Sequence, residues 1–149
     1  MLNKRKQNYQ SFQSSSGGRL IALYFDMIDS KAWSELKGND IKVYLYMLRK
    51  YTANYTKGML ISCNRDDISI PKDEYLGKDK KQPWIMKMAQ ATFMNSIDHL
   101  IDLGFIKVVR NGYASRECNI YGFNDMWKKY GTKDFHIKNE WKRAAKIAY

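Results

Sequence analysis

Cysteine, proline and histidine are scarce in this sequence, with two of each. Cys63 and Cys118 stand alone, without CxxC spacing or a Cys/His cluster. That excludes a zinc motif or disulfide framework and leaves free, reduced thiols as the expected state. His99 and His136 lie far apart, so the closely spaced histidines of a metal-dependent nicking endonuclease are absent. Without them, Tyr51 and Tyr55 at i, i+4 read as the end of a helix packing its rings, not as a nucleophile pair. The adjacent carboxylates Asp66–Asp67 and Asp73–Glu74 read as solvated loop charge. No GxxxxGK[ST] phosphate loop and no GxSxG elbow occurs. No catalytic residue, metal ligand or cofactor is therefore assigned, and the chain is expected not to be an enzyme. Long apolar runs are missing too. The longest, Leu20 to Ile28, is interrupted by Asp26 and falls far short of the about 20 residues that span a bilayer. Met1 to Gln7 is basic, but no apolar segment or cleavage site follows, so no signal peptide is expected. These absences point to a cytoplasmic chain without a membrane partner.

Acidic residues are the other shortage. Lysine and arginine number 26 against 15 Asp and Glu, a formal charge of +11 on 149 residues. That length suits one domain with appended tails and can bury a core without staples. An excess of one sign on so small a chain implies a polyanionic partner. RNA is the weaker choice, because no RNP-type strand motif is visible and the aromatic residues fit core positions.

Residues 1–18 carry Lys4, Arg5 and Lys6 and then Ser14-Ser15-Ser16-Gly17-Gly18, the composition of a flexible basic tail. Leu20 to Ile28 is expected to form an opening strand or short helix that buries Leu23, Phe25 and Ile28. Asp29 or Ser30 then caps a short helix with Trp33 and Leu36 inward. A longer helix is expected from Asn39 or Asp40 to about Tyr51, burying Ile41, Tyr44, Leu45 and Leu48 at i, i+3, i+4, i+7. Gly58 closes a loop before a short strand at Met59 to Ser62. Asn64 to Pro83 is the least legible stretch, with a short helix expected at Lys72 to Leu76 after Pro71.

Met88 to Phe123 is the most informative segment. Gln90 to Leu103 reads as a helix anchored by Phe93, Ile97, Leu100 and Ile101, with Gly104 as its left-handed stop. Phe105 to Arg110 and Cys118 to Phe123 read as strands, joined through an Asn111-Gly112 turn signal. Helix, glycine stop, strand, turn, strand is the order of a recognition helix followed by a hairpin wing. The fold expected is α+β, a winged helix-turn-helix with a two- or three-stranded antiparallel sheet. It occupies residues 19–130, and an appended segment, 131–149, ends in an amphipathic helix from Ile137.

A helix fits the major groove of DNA if one face anchors in a core and the other offers hydrogen-bonding groups. Gln90, Thr92, Asn95, Ser96 and His99 are the candidate recognition-helix contacts. Asp98 and Asp102 would repel phosphate and are placed away from the groove. Lys107, Arg110, Asn111 and Arg116 are the candidate wing contacts, with arginines bracketing the hairpin tip.

The run Thr92-Phe93, Ile97-Asp98, Leu100-Ile101, Gly104-Phe105-Ile106 resembles the T-F-x-x-x-I-x-x-L-x-x-x-G-F-I signature of bacterial winged helix-turn-helix domains. Ser30 to Trp33, Leu36, Val43-Tyr44, Asn119 to Tyr121 and Trp127 to Tyr130 resemble a pattern in replication-associated proteins of Gram-positive plasmids, phages and conjugative elements. The resemblance covers roughly residues 20 to 130. It implies sequence-specific binding of double-stranded DNA in replication initiation or its control. A transcriptional regulator or partition protein of a mobile element is the alternative role. A protein-interaction module of a replisome or conjugation complex is the alternative of a different class. A homodimer is expected, with a replisome protein as a further partner.

Overall fold

The computed structural model describes residues 13, 18–81 and 86–141. Most of the basic tail expected at 1–18, the end of the 77–83 loop and residues 142–149 of the expected C-terminal helix lie outside the described residues. The chain is mixed helix and strand. Helices α1 (Phe25–Ile28), α2 (Lys31–Ser34) and α3 (Gly38–Lys50) come first, followed by strands β1 (Ala53–Thr56) and β2 (Met59–Cys63). Then come α4 (Lys72–Tyr75), α5 (Gln90–Asp102), β3 (Ile106–Arg110) and β4 (Ile120–Phe123). Single 3-10 turns follow at Met126–Lys129 and Asn139–Trp141. The strands form two antiparallel pairs, β1 with β2 and β3 with β4.

The first helices are shorter than expected, and the burial differs. Phe25 is 79% exposed and Ile28 37% exposed, while Leu23 is half-buried. A four-residue helix presents only one turn, and here Met27 is the side chain that packs on the core. Ser30 caps α2 as expected, its Oγ accepting the Trp33 N–H at 3.2 Å. Ala32 is buried behind it, with Trp33 and Leu36 packed against the core.

In α3 the buried stripe is rotated from the expected one. Val43, Tyr44, Tyr46 and Met47 are buried, whereas Ile41, Leu45 and Leu48 are half-buried. Val43, Tyr46 and Met47 keep the i, i+3, i+4 spacing, because helix period defines several adjacent stripes and packing against α5 selects one. The chain leaves α3 at Tyr51 in an extended conformation (ψ 131°). Tyr51 and Tyr55 therefore do not share a helix end. Tyr55 lies in β1 and is exposed, while Tyr51 packs edge-on to Phe123 at 6.0 Å. Lys57 (φ 52°) and Gly58 (φ 75°) turn the chain back into β2, a left-handed pair that suits a tight hairpin.

Pro71 sits before α4 as expected. An isolated bridge joins Ile68 to Tyr121 of β4, with Ile68 N–H to Tyr121 O at 3.0 Å and Tyr121 N–H to Ile68 O at 2.7 Å. The 64–70 segment is thus fastened along the β3–β4 pair. The core sits between α3, α5 and this sheet. Phe93, Ile97, Leu100 and Ile101 of α5 are buried there with Met47, Phe105 and Ile106. Burying each such side chain contributes about 1.5–3 kcal/mol. Rings knit it further: Tyr75 stacks on Phe93 at 4.1 Å, and Trp33 and Tyr44 both pack on Phe105.

Gly104 ends α5 with φ +84°. Its N–H donates to Ile101 O at 3.1 Å, and Phe105 N–H donates to Leu100 O at 2.9 Å. These two bonds make a Schellman stop, closed by contact of Leu100 and Phe105 in the core.

Candidate nucleic-acid interface

α5 places its candidates on more than one face. Asn95 is exposed and Thr92 and His99 are half-buried on the same side. Gln90 is also exposed, but it lies about 140° around the helix from Asn95. The two do not form one reading surface. Ser96 is the clearest departure. It is 2% exposed and lies only about 40° around the helix from buried Leu100, so it belongs to the α3-facing flank and cannot meet a base from there. Asp102 is exposed toward the end of the helix, and Asp98 is half-buried.

Thr92, Asn95, Ser96 and His99 meet Lys37, Asn39 and Asp40 around a polar depression of about 340 Å³. Asp40 anchors it. This carboxylate is 3% exposed, and its Oδ2 accepts the Lys37 backbone N–H at 2.8 Å. The same oxygen is 2.6 Å from His99 Nδ1. Asn39 or Asp40 was expected to precede α3 as its N-cap; instead the N-cap is Lys37, and Asp40 lies inside the first turn, where its carboxylate accepts the Lys37 N–H. Its tie to His99, 59 residues away, had no sequence signal, since nothing local pairs them.

The β3–β4 connection carries the other candidates. Lys107 Nζ lies 3.3 Å from Asp66, and Arg110 lies 3.2 Å from Glu117. Both are surface pairs of low strength, worth about 0–1 kcal/mol each. Asn111 is exposed, and its Oδ1 accepts the Tyr113 N–H at 3.0 Å. Arg116 is exposed with a left-handed backbone (φ 57°) and has no ion-pair partner among the described residues. The loop is not the simple Asn-Gly turn expected. Gly112 has no positive φ; a Cβ there would strike the Glu117 carbonyl. Asn119 Oδ1 holds the Gly112 N–H at 2.9 Å, so β4 begins at Ile120 rather than Cys118.

A larger groove of about 620 Å³ lies on the other side of α5, walled by Tyr75, Phe93, Val108, Tyr121 and Trp141, with Asp98 and Glu117 also lining it. Burial pushes the hydroxyl of Tyr121 above the ordinary tyrosine range. Among the described residues no cluster of His, Cys, Asp and Glu could hold a metal, and no helix is long and apolar enough to cross a membrane. Cys63 and Cys118 are both free and exposed. Compared with family models, curated proteins and solved structures, the chain shows no match.

Proposed function

We propose that this chain is a winged-helix domain that binds double-stranded DNA, with α5 as the groove-reading helix and the 110–117 loop as the flanking wing. One observation carries the reading. The order α3, the 64–70 segment, α4, α5, β3, β4 is closed by the Ile68–Tyr121 bridge, which pairs the 64–70 segment with the hairpin at a single residue. That arrangement holds α5 across a small sheet with its Asn95 side turned outward. It leaves Arg116 at the loop tip as an exposed cation. The formal charge of +11 supports a polyanionic partner. A role in starting or controlling replication of a plasmid or other mobile element is proposed on the sequence resemblance alone. Fluorescence anisotropy with a labelled duplex across a salt series is the test. Log affinity should fall linearly with log salt, with a slope of about −0.9 per phosphate contacted. Absence of duplex binding at low salt would defeat the reading.

A protein-interaction role is favoured by a separate observation. The β1–β2 hairpin exposes Tyr55, Met59, Leu60 and Ile61, and the segment before α2 exposes Leu20, Tyr24 and Phe25. Exposed apolar side chains gathered on one hairpin mark a candidate association surface. We expect a homodimer, and a monomeric mass by sedimentation equilibrium would remove the expectation of a site with two symmetric half-sites.

A further inference from the structure

We propose that the depression between the start of α3 and the Thr92–His99 side of α5 is a seat for a DNA backbone phosphodiester, held by His99 and Lys37, and that filling it takes up a proton. The inference rests on the duplex-binding reading and adds a named contact and a pH dependence to it. Sequence alone suggests His99 as a base or backbone contact without distinguishing them; the Asp40 bond decides which of its nitrogens is available.

Asp40 is buried, and its carboxylate oxygen can only accept. Nδ1 of His99, 2.6 Å away, must therefore carry the hydrogen of that bond. With Nδ1 occupied and the side chain 35% exposed, Nε2 is the ring nitrogen left for a ligand. A neutral ring with Nδ1–H presents Nε2 as an acceptor, which a phosphodiester oxygen cannot satisfy. Only the doubly protonated ring donates from Nε2, and it also supplies a positive charge. Lys37, an exposed residue, lines the same depression and carries an ammonium, and Thr92 adds a neutral polar group. The charged groups facing the ring are Lys37 and Asp40 from the start of α3, with Asp102 about one turn further along α5 and Asp98 on its adjacent flank. Among the described residues Asp40 is the one carboxylate lining the depression, and its Oδ2 is engaged by both the Lys37 N–H and His99. No side chain in this set reads a base. The seat would fix the register of α5 on the duplex, leaving Asn95, at the exposed edge of the depression, to meet base edges.

Binding to a duplex of fixed sequence, measured from pH 5.5 to 8.5 at constant ionic strength, tests this for the full chain and for His99→Gln. The unsubstituted chain should weaken as pH rises, by up to about tenfold per pH unit, the limit for one linked proton. His99→Gln should bind with a nearly flat profile over that range. Because Asp40 is buried, His99→Gln is checked for a cooperative melt. A second measurement is independent of that variant. The ¹⁵N shift of His99 Nε2 in the unsubstituted chain should titrate at higher pH with the duplex than without it. Parallel profiles for the two proteins, or an Nε2 titration unmoved by duplex, overturn the proposal while leaving duplex binding intact. No binding by either protein at low salt removes both the proposal and the reading beneath it.

Discussion

Replacing Gly104 with alanine tests the joint between α5 and β3, and the structure supplies its magnitude. At φ +84° a Cβ is strained, which costs about 1–3 kcal/mol. The new atom would also lie 2.6 Å from the Trp127 backbone nitrogen and 2.8 Å from the Met126 carbonyl carbon. Backbone cannot swing aside as a side chain does, so the Met126–Lys129 turn must move. That movement puts at risk the Trp127 N–H to Gly104 O bond (3.0 Å), worth about 0.5–1.5 kcal/mol. It also disturbs the stack of Trp127 on Phe105, worth a similar amount. The total expected loss is about 2–6 kcal/mol. Gly131 provides the reference. Its φ is +83°, but a Cβ there meets only the flexible tip of Lys31, with Cδ at 3.1 Å. Gly131→Ala therefore reports the backbone strain alone. Urea unfolding of the two variants, with m unchanged, should place Gly104→Ala about 1–3 kcal/mol below Gly131→Ala. Equal losses within about 0.5 kcal/mol would refute the close-approach argument.

Arg116→Ala should weaken binding to all duplexes alike and reduce the salt slope by about 0.9, whereas Arg110→Ala, already paired with Glu117, should change it less; equal effects of the two in an anisotropy salt series would contradict the loop geometry. Asn95→Ala should lower discrimination between preferred and altered sites by about 1–3 kcal/mol, while Ser96→Ala should leave the preference unchanged, as read by selection from random duplexes. Burial raises Tyr44 to about 12 in the folded chain against 10.0 unfolded. Its stabilising contribution of about 2–3 kcal/mol is therefore complete below pH 10 and is lost as pH rises from 10 toward 12. Stability by urea titration should fall over that window, and Tyr44→Phe should lessen the fall.

Legibility from sequence followed the range of the forces involved. α5, its Gly104 stop and β3 were readable because period, cap and β-branched run all act within a few residues. The four anchors Phe93, Ile97, Leu100 and Ile101 are all buried. α3 was readable as a helix, but its buried side was not. Ile41, Leu45 and Leu48 have the same spacing as the residues that win, and only the approach of α5 chooses between them. β1 escaped notice because Ala53–Thr56 has one half-buried residue and no apolar alternation, and is held by its pairing with β2. At the candidate site, the sequence identifies polar residue types but not their grouping. Gln90 and Asn95 part company through the 100° step of the helix, and Asp40 reaches His99 only through tertiary packing. The Asn111-Gly112 pair was misleading for a different reason. Its glycine answers a crowding demand from Glu117 rather than a left-handed turn.

The Ile68–Tyr121 bridge gives the molecule an internal reporter. Two reciprocal amide bonds, at 3.0 and 2.7 Å, join the N-terminal half to the loop-bearing strand pair, and both residues are buried. Neither amide can be exposed to solvent without parting the two halves, so their deuterium uptake shares one opening event. Exchange at these two positions reads the fastening of the whole assembly, while the amides of the solvent-facing β1–β2 ribbon report only local fraying.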